Sequence, residues 1–369
     1  MPTLLENSAP PVVDYILNGQ ASGGVASTLI QNGGDPRSLR PFIGRDGRTW
    51  LSVADGIDDK GKVKLKNVLA RNANGTLKYD EWKLIDQIVT KAAKAPLRVV
   101  GDVRSAGLNY NLPNGMAHTF LQYQNLSNIT PATVSMTPAR RSDFDRPVFD
   151  INGIPLPVVH KDFMLDTRQL LASKQGNMPL DTTMIEASAR EVAEVTEKLF
   201  LGTYGTYAFG GGTLYGLTNF PSRLTKTMTA PTGTNESVTL TEVLDMVQKS
   251  QDALHYGPWV LYVSPNWGKY LDDDYILTGG NVATMTLRER LAKIDGISAV
   301  RTAYFLTGYT MVLVQMTSDV IQAVNGMEIQ TVQWEEKGGF EVHFKVIGMT
   351  LPRVRADFNG NAGIVHGSV

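Results

Sequence analysis

The chain contains 369 residues, of which 42% are hydrophobic and 19% are charged. This composition is typical of a folded protein and excludes a disordered chain or a coiled coil. Its 35 basic and 36 acidic residues give a net charge of −1, which excludes a strongly basic nucleic-acid binder and gives no support for attachment to an anionic membrane. The absence of cysteine excludes disulfides and thiol nucleophiles. The chain has neither a signal-peptide pattern nor an apolar run long enough to span a bilayer, so we expect a soluble protein made in the cytoplasm.

Residues 1–76 differ from the rest of the chain because they are rich in Gly and Asn and lack a helical apolar period. Such a long segment without regular pattern is unusual inside a compact domain, so we interpret it as an arm held by neighbouring subunits. Lysines at every second position lie on one face of a predicted strand: Lys60, Lys62, Lys64 and Lys66. They indicate either a solvated edge strand protected against unwanted pairing or a basic strip that faces packaged nucleic acid.

The first helix is predicted over residues 80–94, where Asp80 caps it and Pro96 ends it. Apolar residues at helical spacing form its buried face: Trp82, Ile85, Val89 and Ala92. The apolar run Leu97–Val103 that follows predicts a strand.

A long β-hairpin is predicted within residues 131–165, where prolines punctuate short strand-like runs and Asn152-Gly153 is a strong turn signal. A lone hairpin is only marginally stable in water, so we expect it to project from the body and lie on something else. The charged residues before the turn are our candidates for contacts with an adjacent subunit: Arg140, Arg141, Asp143, Asp145 and Arg146. The alternative is a rim of solvated charges, each pair worth about 0–1 kcal/mol.

The strongest helix is predicted over residues 182–201, where Thr183 and Glu186 form a capping box and Gly202 ends the helix. Its apolar residues form one continuous stripe, which we interpret as core: Ile185, Ala189, Val192, Val195 and Leu199.

The second half of the chain alternates helices and strands. Thr239 and Glu242 predict a capped helix over residues 240–255, and its inward residues are expected to be Leu244, Val247 and Leu254.

A buried strand is predicted at Trp259–Val263, and Thr286 with Glu289 opens a short helix that stops at Gly296. Four more strands are predicted towards the end of the chain: 297–305, 309–316, 328–336 and 340–350.

No arrangement of residues indicates an enzyme. The histidines are scattered, and Gly210-Gly211-Gly212 lacks the Lys and Ser/Thr of a phosphate loop, so we interpret it as a turn between two lobes. Asp272-Asp273-Asp274 lacks EF-hand spacing, which favours a solvated acidic turn. We therefore predict no catalytic residue, cofactor or metal. The competing hypothesis, a soluble enzyme with a metal at this turn, predicts a small oligomer that metal stabilises.

Several segments together carry a specific pattern: Pro155–Phe163, Leu165–Arg168, Gly176–Thr182, Ala189–Glu194, Leu97–Val103 and Gly257–Pro265. This pattern resembles the encapsulin shell proteins and the related major capsid proteins of tailed phages, which share the Hong Kong 97-type fold. The resemblance covers about residues 80–369. It is distributed along the chain and contains no catalytic signature, so it concerns fold and assembly.

The resemblance implies an α+β chain of the Hong Kong 97-type capsid fold. The parts would be an N-terminal arm, the start of a peripheral domain, an extended β-hairpin loop, a peripheral segment with a long spine helix, an axial domain and the closing strands of the peripheral domain. In chain order their expected bounds are 1–76, 77–124, 125–165, 166–205, 206–326 and 327–369.

The resemblance also implies a structural function. We expect a major capsid protein that self-assembles into hexamers and pentamers of an icosahedral phage head around double-stranded DNA. Its partners would be further copies of itself, scaffold, portal and decoration proteins, and packaged DNA contacted non-specifically, with no membrane. Its location would be the virion, after synthesis in the host cytoplasm. Some phages of this family cross-link Lys to Asn, and Lys161 and Lys174 lie near the loop, but no carboxylate is singled out and no cross-link is predicted.

The alternative is an encapsulin nanocompartment that encloses a cargo enzyme. Encapsulins that resemble this core usually begin near the equivalent of residue 80, often with a short helix that lines the inner face. Residues 1–76 do not resemble that helix, which favours a phage capsid.

Overall fold

The fold is described from a computed structural model. It describes residues 40–57, 63–69, 77–113, 115–126, 134, 136, 149–166, 168, 183–232, 236–276, 282–336, 340–357 and 359–369. The architecture is mixed α+β: two principal sheets of four and five strands share the body, helices pack against them, and smaller sheets extend from it.

The first sheet has four strands in the order β3-β2-β1-β4. Its strands are β1 Phe42–Ile43, β2 Thr49–Ile57, β3 Val63–Leu69 and β4 Leu77–Lys78. Phe42 packs in one core cluster with Trp82, and Arg40 forms an ion pair with Asp86 at 2.9 Å. Strands β1 and β2, in a segment that we interpreted as an arm, therefore join the body, and β3 overlaps the strand predicted from the alternating lysines.

Helix α1, Tyr79–Lys94, confirms the first predicted helix. Its start differs, because the N-cap is Lys78 and the carboxylate of Glu81 accepts a hydrogen bond of 2.7 Å from the Lys78 backbone N–H. Asp80 lies in the first turn and is not the cap. Three residues of the predicted face are buried, Trp82, Ile85 and Val89. The fourth buried position is Ala93, whereas the predicted Ala92 is half-buried.

The strand predicted at Leu97–Val103 is wrong. Residues Val99–Ser105 form helix α2, with Val99, Val100 and Val103 fully buried. The spacing 99, 100 and 103 matches one face of a helix, and a tertiary contact at its first turn, described below, stabilises this conformation over the β preference of valine.

Helix α3, Thr183–Leu201, confirms the long predicted helix, and Gly202 ends it with φ +84°. Its predicted stripe is buried except for Val195, which is half-buried. Arg190 and Glu194 form an i,i+4 ion pair at 2.8 Å on the outer side of this helix.

The second sheet has the order β5-β17-β18-β8. It contains β5 Asn109–Asn111, β8 Val159–Asp166, β17 Ile321–Glu336 and β18 Glu341–Val354. The pair β17–β18 is antiparallel from Ile321 opposite Val354 to Glu336 opposite Glu341, which confirms the predicted pair and extends both strands. Helices α1 and α3 pack on this sheet through Phe163 and Phe344, whose rings stack at 5.2 Å.

A separate hairpin consists of β6 Phe120–Leu126 and β7 Phe149–Pro155. The predicted turn at Asn152-Gly153 is wrong, because both residues lie inside β7, where they pair with Tyr123 and Gln122. A Cβ on Gly153 would lie 2.0 Å from the Phe120 ring. Gly153 is therefore needed for close packing against the Phe120 ring. Residues 127–148 connect β6 to β7.

The third sheet has five strands in the order β11-β19-β16-β12-β15. They are β11 Leu224–Thr227, β12 Trp259–Val263, β15 Ile297–Thr302, β16 Thr310–Gln315 and β19 Ile364–Ser368. Strand β12 is wholly buried, as predicted. Strand β19 lies between β11 and β16, so the end of the chain joins the sheet of β12 rather than that of β18.

Helices α4 Glu236–Asp252, α5 Gly268–Leu271 and α6 Leu287–Ala292 flank this sheet. The side chain of Thr286 accepts a hydrogen bond of 3.3 Å from the Glu289 N–H, which confirms that predicted cap. The inward face predicted for α4 is wrong in part: Leu244 and Leu254 are 43% and 62% exposed. The helix begins at Glu236, so Thr239 lies within it, and its buried apolar residues are Leu240, Val243, Met246 and Val247.

Two small hairpins complete the described structure. Strands β9 Tyr207–Phe209 and β10 Gly212–Leu214 meet at Gly210-Gly211, both with positive φ. The predicted glycine turn is therefore a tight β-turn between these strands. The other pair is β13 Asp274–Ile276 with β14 Val282–Thr286, and single 3₁₀ turns lie at Gly115–Ala117 and Pro265–Trp267.

Candidate assembly surfaces

The residues predicted to contact an adjacent subunit lie outside the described part of the chain: Arg140, Arg141, Asp143, Asp145 and Arg146. They belong to the connection between β6 and β7. The structure does describe both strands that carry this connection, and its role as an inter-subunit contact stays a prediction.

The predicted lysine strip is described in part. Lys60 and Lys62 lie outside the described residues, whereas Lys64 and Lys66 are exposed on β3. Among the described strands, β3 is an edge of the first sheet. Whether its lysines block further pairing or face packaged nucleic acid stays a prediction.

A polar junction connects α3, α2 and the five-stranded sheet. Glu197 of α3 is 1% exposed, and its carboxylate accepts backbone hydrogen bonds from Arg98, Val99 and Val100 at 3.2, 2.7 and 3.3 Å. These are N–H groups at the start of α2 that have no partner within the helix. Burial raises the pKa of Glu197 to about 7, against the opposing effect of the three donors.

The same junction continues through Asp102 on α2. Its carboxylate accepts a hydrogen bond of 3.1 Å from the Tyr262 hydroxyl on β12 and lies 3.2 Å from Arg301 Nε on β15. Burial raises the pKa of Asp102, and the Arg301 guanidinium opposes that shift. Desolvation and the Asp102 charge also raise the pKa of Tyr262. The junction fixes the orientation of the third sheet relative to α3, so these residues act in positioning.

Sequence analysis missed this junction. One signal was present, because Glu197 falls on the buried side of α3, beside Ala193 and Phe200 at helical spacing. A charged residue on an apolar face indicates a buried partner. Neither Asp102 nor Tyr262 had such a signal, since their contacts join residues 160 positions apart.

A cleft of about 500 Å³ lies at the base of the hairpin β6–β7. Phe120 and Tyr123 of β6 line one side, and Tyr215, Phe220 and the glycine turn of β9–β10 line the other. Next to it, Tyr204, Tyr207 and Phe209 are 57%, 39% and 56% exposed. Exposed aromatic residues in one region are typical of protein–protein contacts.

The described residues contain no group of three or more His, Asp or Glu side chains placed to hold a metal ion. At the acidic turn, Asp272 forms an ion pair with Arg288 at 2.5 Å, so this carboxylate is occupied by a cation of the chain itself. Among the helices that the structure describes, none is long and apolar enough to cross a membrane.

Two solved structures of shell proteins have a fold similar to this one. A virus-like particle from Pyrococcus furiosus matches with a TM-score of 0.54 at 14% identity, over 79% of this chain and 99% of that chain. The capsid of the Myoviridae phage XM1 matches with a TM-score of 0.53 at 12% identity, over 72% and 90% of the two chains.

The protein therefore has the Hong Kong 97-type fold of phage capsid and encapsulin-like subunits. In sequence it is 24% identical, over 214 residues, to the type 1 encapsulin shell protein EncA of Myxococcus xanthus, which covers 56% of this chain and 68% of the relative. The chain belongs to the family described as a family of unknown function, DUF6260, whose model matches residues 72–367.

Proposed function

We propose that this protein is a major capsid protein that self-assembles into hexamers and pentamers of an icosahedral phage head around double-stranded DNA. The observation that carries the proposal is the shared fold, which extends over nearly the whole length of one shell protein and nine-tenths of another. A subunit of such a shell acts through its contacts and needs no catalytic centre. Its location would be the virion, after synthesis in the host cytoplasm.

In this proposal each part of the subunit has an assembly role. Residues 125–165 would be the extended loop, residues 166–205 the spine segment and residues 206–326 the axial domain. Residues 77–124 and 327–369 would form most of the peripheral domain, and the segment before residue 77 would be the arm. The hairpin β6–β7 supports the loop assignment, because its strands pair with each other and carry the connection 127–148.

The shell would contact packaged DNA non-specifically. The net charge of −1 suits a wall that encloses DNA without binding it strongly, because tight binding to duplex DNA rests on many Lys and Arg contacts. Scaffold, portal and decoration proteins would be the further partners.

The second candidate function is an encapsulin-type compartment that encloses a cargo enzyme. The sequence similarity to an encapsulin shell protein favours it. The two candidates share assembly and differ in contents, so the contents decide between them.

The test is the particle mass of the full chain expressed alone, measured by light scattering after size exclusion, with a negative-stain image of the peak. We expect closed particles of megadalton mass. Nuclease-protected DNA in particles from the native host would support the phage head, whereas a co-purifying enzyme would support the compartment. A monomer that stays a monomer after the neighbouring gene products are added would contradict both.

A further inference from the structure

Two arginines near the end of β18 stack on two tyrosines. Arg353 Cζ lies 4.6 Å from the centre of the Tyr110 ring and 5.9 Å from that of the Tyr123 ring. Arg355 Cζ lies 5.2 Å from the Tyr123 ring. These distances are those of cation–π contacts. Tyr110 belongs to β5 and Tyr123 to β6, so the sheet and the projecting hairpin each supply one ring. We call these four residues the arginine–tyrosine site.

The positive charge at this site is uncompensated by the described residues. Arg353 is 6% exposed, yet within the described ranges neither arginine side chain forms a hydrogen bond or an ion pair. The Nε atoms of both arginines are buried without a hydrogen-bond partner, as is Oε1 of Gln322, which stands opposite Arg353 in the β17–β18 register. Burial, followed by the neighbouring Arg355 charge, lowers the pKa of Arg353 to about 10.

A buried polar group without a partner destabilises the fold, and a charged group does so more strongly. The two guanidinium charges, which the described residues leave without an acidic partner, therefore indicate a site that something outside the described residues completes. A guanidinium holds its N–H groups in one plane, where a planar oxyanion can accept two of them at once.

We propose that the arginine–tyrosine site binds the carboxylate of an Asp or Glu side chain from a second copy of this chain. The burial of Arg353 favours a carboxylate on a slender side chain, because a DNA duplex is bound through exposed basic groups that follow its backbone. The choice of a second copy rests on the proposed function, whereas binding of a carboxylate does not.

The first experiment measures carboxylate binding by the full-length subunit, kept below its assembly concentration. The probe is succinate, titrated at constant ionic strength against NaCl while the thermal midpoint is recorded, because a ligand that binds only the folded state raises the midpoint. We expect succinate to raise the midpoint of the wild type and not that of the double variant Arg353→Gln/Arg355→Gln. No shift in the wild type, or a shift that the double variant retains, would overturn the proposal. A larger shift with a short DNA duplex than with succinate would overturn it as well.

The second experiment measures assembly. The protein concentration for half-assembly is compared for the wild type, the double variant, and a control of equal charge change at two exposed arginines, Arg45→Gln/Arg48→Gln. We expect at least a tenfold rise for the double variant and less than a twofold change for the control. Arg353→Lys keeps the charge and loses the planar fork, so it should fall between them.

If the double variant fails to fold, judged by circular dichroism, Arg355→Gln alone replaces it, since Arg355 is only half-buried. Equal half-assembly concentrations for wild type and variant would exclude an inter-subunit role for the site. A wild type that binds succinate but never assembles would contradict the shell proposal and leave the carboxylate site in place.

Discussion

Glu197 shows how one buried carboxyl group can determine a local conformation. Its carboxylate accepts three N–H groups at the start of α2, and a helix start is where backbone donors lack partners and favour negative charge. This contact explains why Val99–Ser105 is a helix although its sequence predicts a strand. Residue spacing revealed the apolar stripe of α3, but the partner of Glu197 comes from 97–99 positions earlier in the chain, beyond any local pattern.

The raised pKa of Glu197 predicts a pH dependence of stability. Because the folded pKa is about 7 and the ordinary value is 4.5, the folded state holds this proton more tightly than the unfolded state between those values. The contribution is therefore fully present below about pH 4.5 and is lost as the pH rises through 7. Urea unfolding at pH 5 and pH 7.5 should show a loss of roughly 2 kcal/mol from this group at the higher pH.

The variant Glu197→Gln isolates this contribution. It keeps one acceptor and removes the titration, so its stability difference between pH 5 and pH 7.5 should be smaller than that of the wild type. Glu191→Gln on the same helix is the control, since Glu191 is exposed and the substitution should leave the pH dependence unchanged. Identical profiles for all three proteins would show that the junction does not depend on the charge of Glu197.

Gly216 lies where the chain passes the end of α3. A Cβ there would lie 2.3 Å from the Gly202 backbone N and 2.4 Å from the Leu199 carbonyl O, and backbone atoms cannot move aside as a flexible side chain can. Gly216→Ala should therefore cost about 1–3 kcal/mol by overpacking. Gly101→Ala is the matched control, because its Cβ would meet nothing within 4 Å inside α2 and should stabilise by roughly 0.5–1 kcal/mol. Urea midpoints that move in the same direction would contradict this steric account.

At the level of elements, the predictions succeeded where a segment had a regular pattern of apolar residues or a clear turn signal. They failed where contacts with distant residues determine the conformation. Strand β12 and the pair β17–β18 were predicted because they contain apolar runs with turn residues at their ends. The Asn152-Gly153 turn was predicted wrongly because the ring of Phe120, rather than a change of chain direction, requires the glycine. The strands at 42–57 were not predicted, since their few buried residues do not alternate regularly.

The N-terminal sheet can be tested by truncation. Deletion of residues 1–76 removes Arg40, Phe42 and the fully buried Leu51, and loss of one buried Phe side chain alone costs about 3–5 kcal/mol. The truncated subunit should therefore unfold at a much lower temperature than the full chain or aggregate. Equal midpoints for the truncated and full chains would show that the sheet of β1–β4 does not support α1.

At the scale of the whole molecule, the sequence resemblance and the fold agree on the class of protein, while the sites of contact between copies depend on side chains from distant segments. Arg353 illustrates this: nothing in its sequence neighbourhood predicts that Tyr110 and Tyr123 flank it.

Hydrogen exchange of free and assembled protein should separate body from contact surfaces. The buried strands β12 and β18 should be protected in both states, because their N–H groups are paired in sheet interiors. The hairpin β6–β7 and the exposed strand β9 should gain protection only on assembly. Equal exchange rates of β6–β7 and β9 in the free and assembled protein would show that these segments do not form the contacts between copies.

The position of β19 has a consequence for synthesis on the ribosome. Residues Ile364–Ser368 fill the gap between β11 and β16. Strand β11 is synthesised more than a hundred positions before them and β16 about fifty, so neither has its central partner until β19 is made. Contacts between distant parts of a chain form late, and domains emerging from the ribosome fold as units. A nascent chain interrupted before this strand cannot complete the five-stranded sheet, so we expect unfinished translation products to assemble far less well than the full chain.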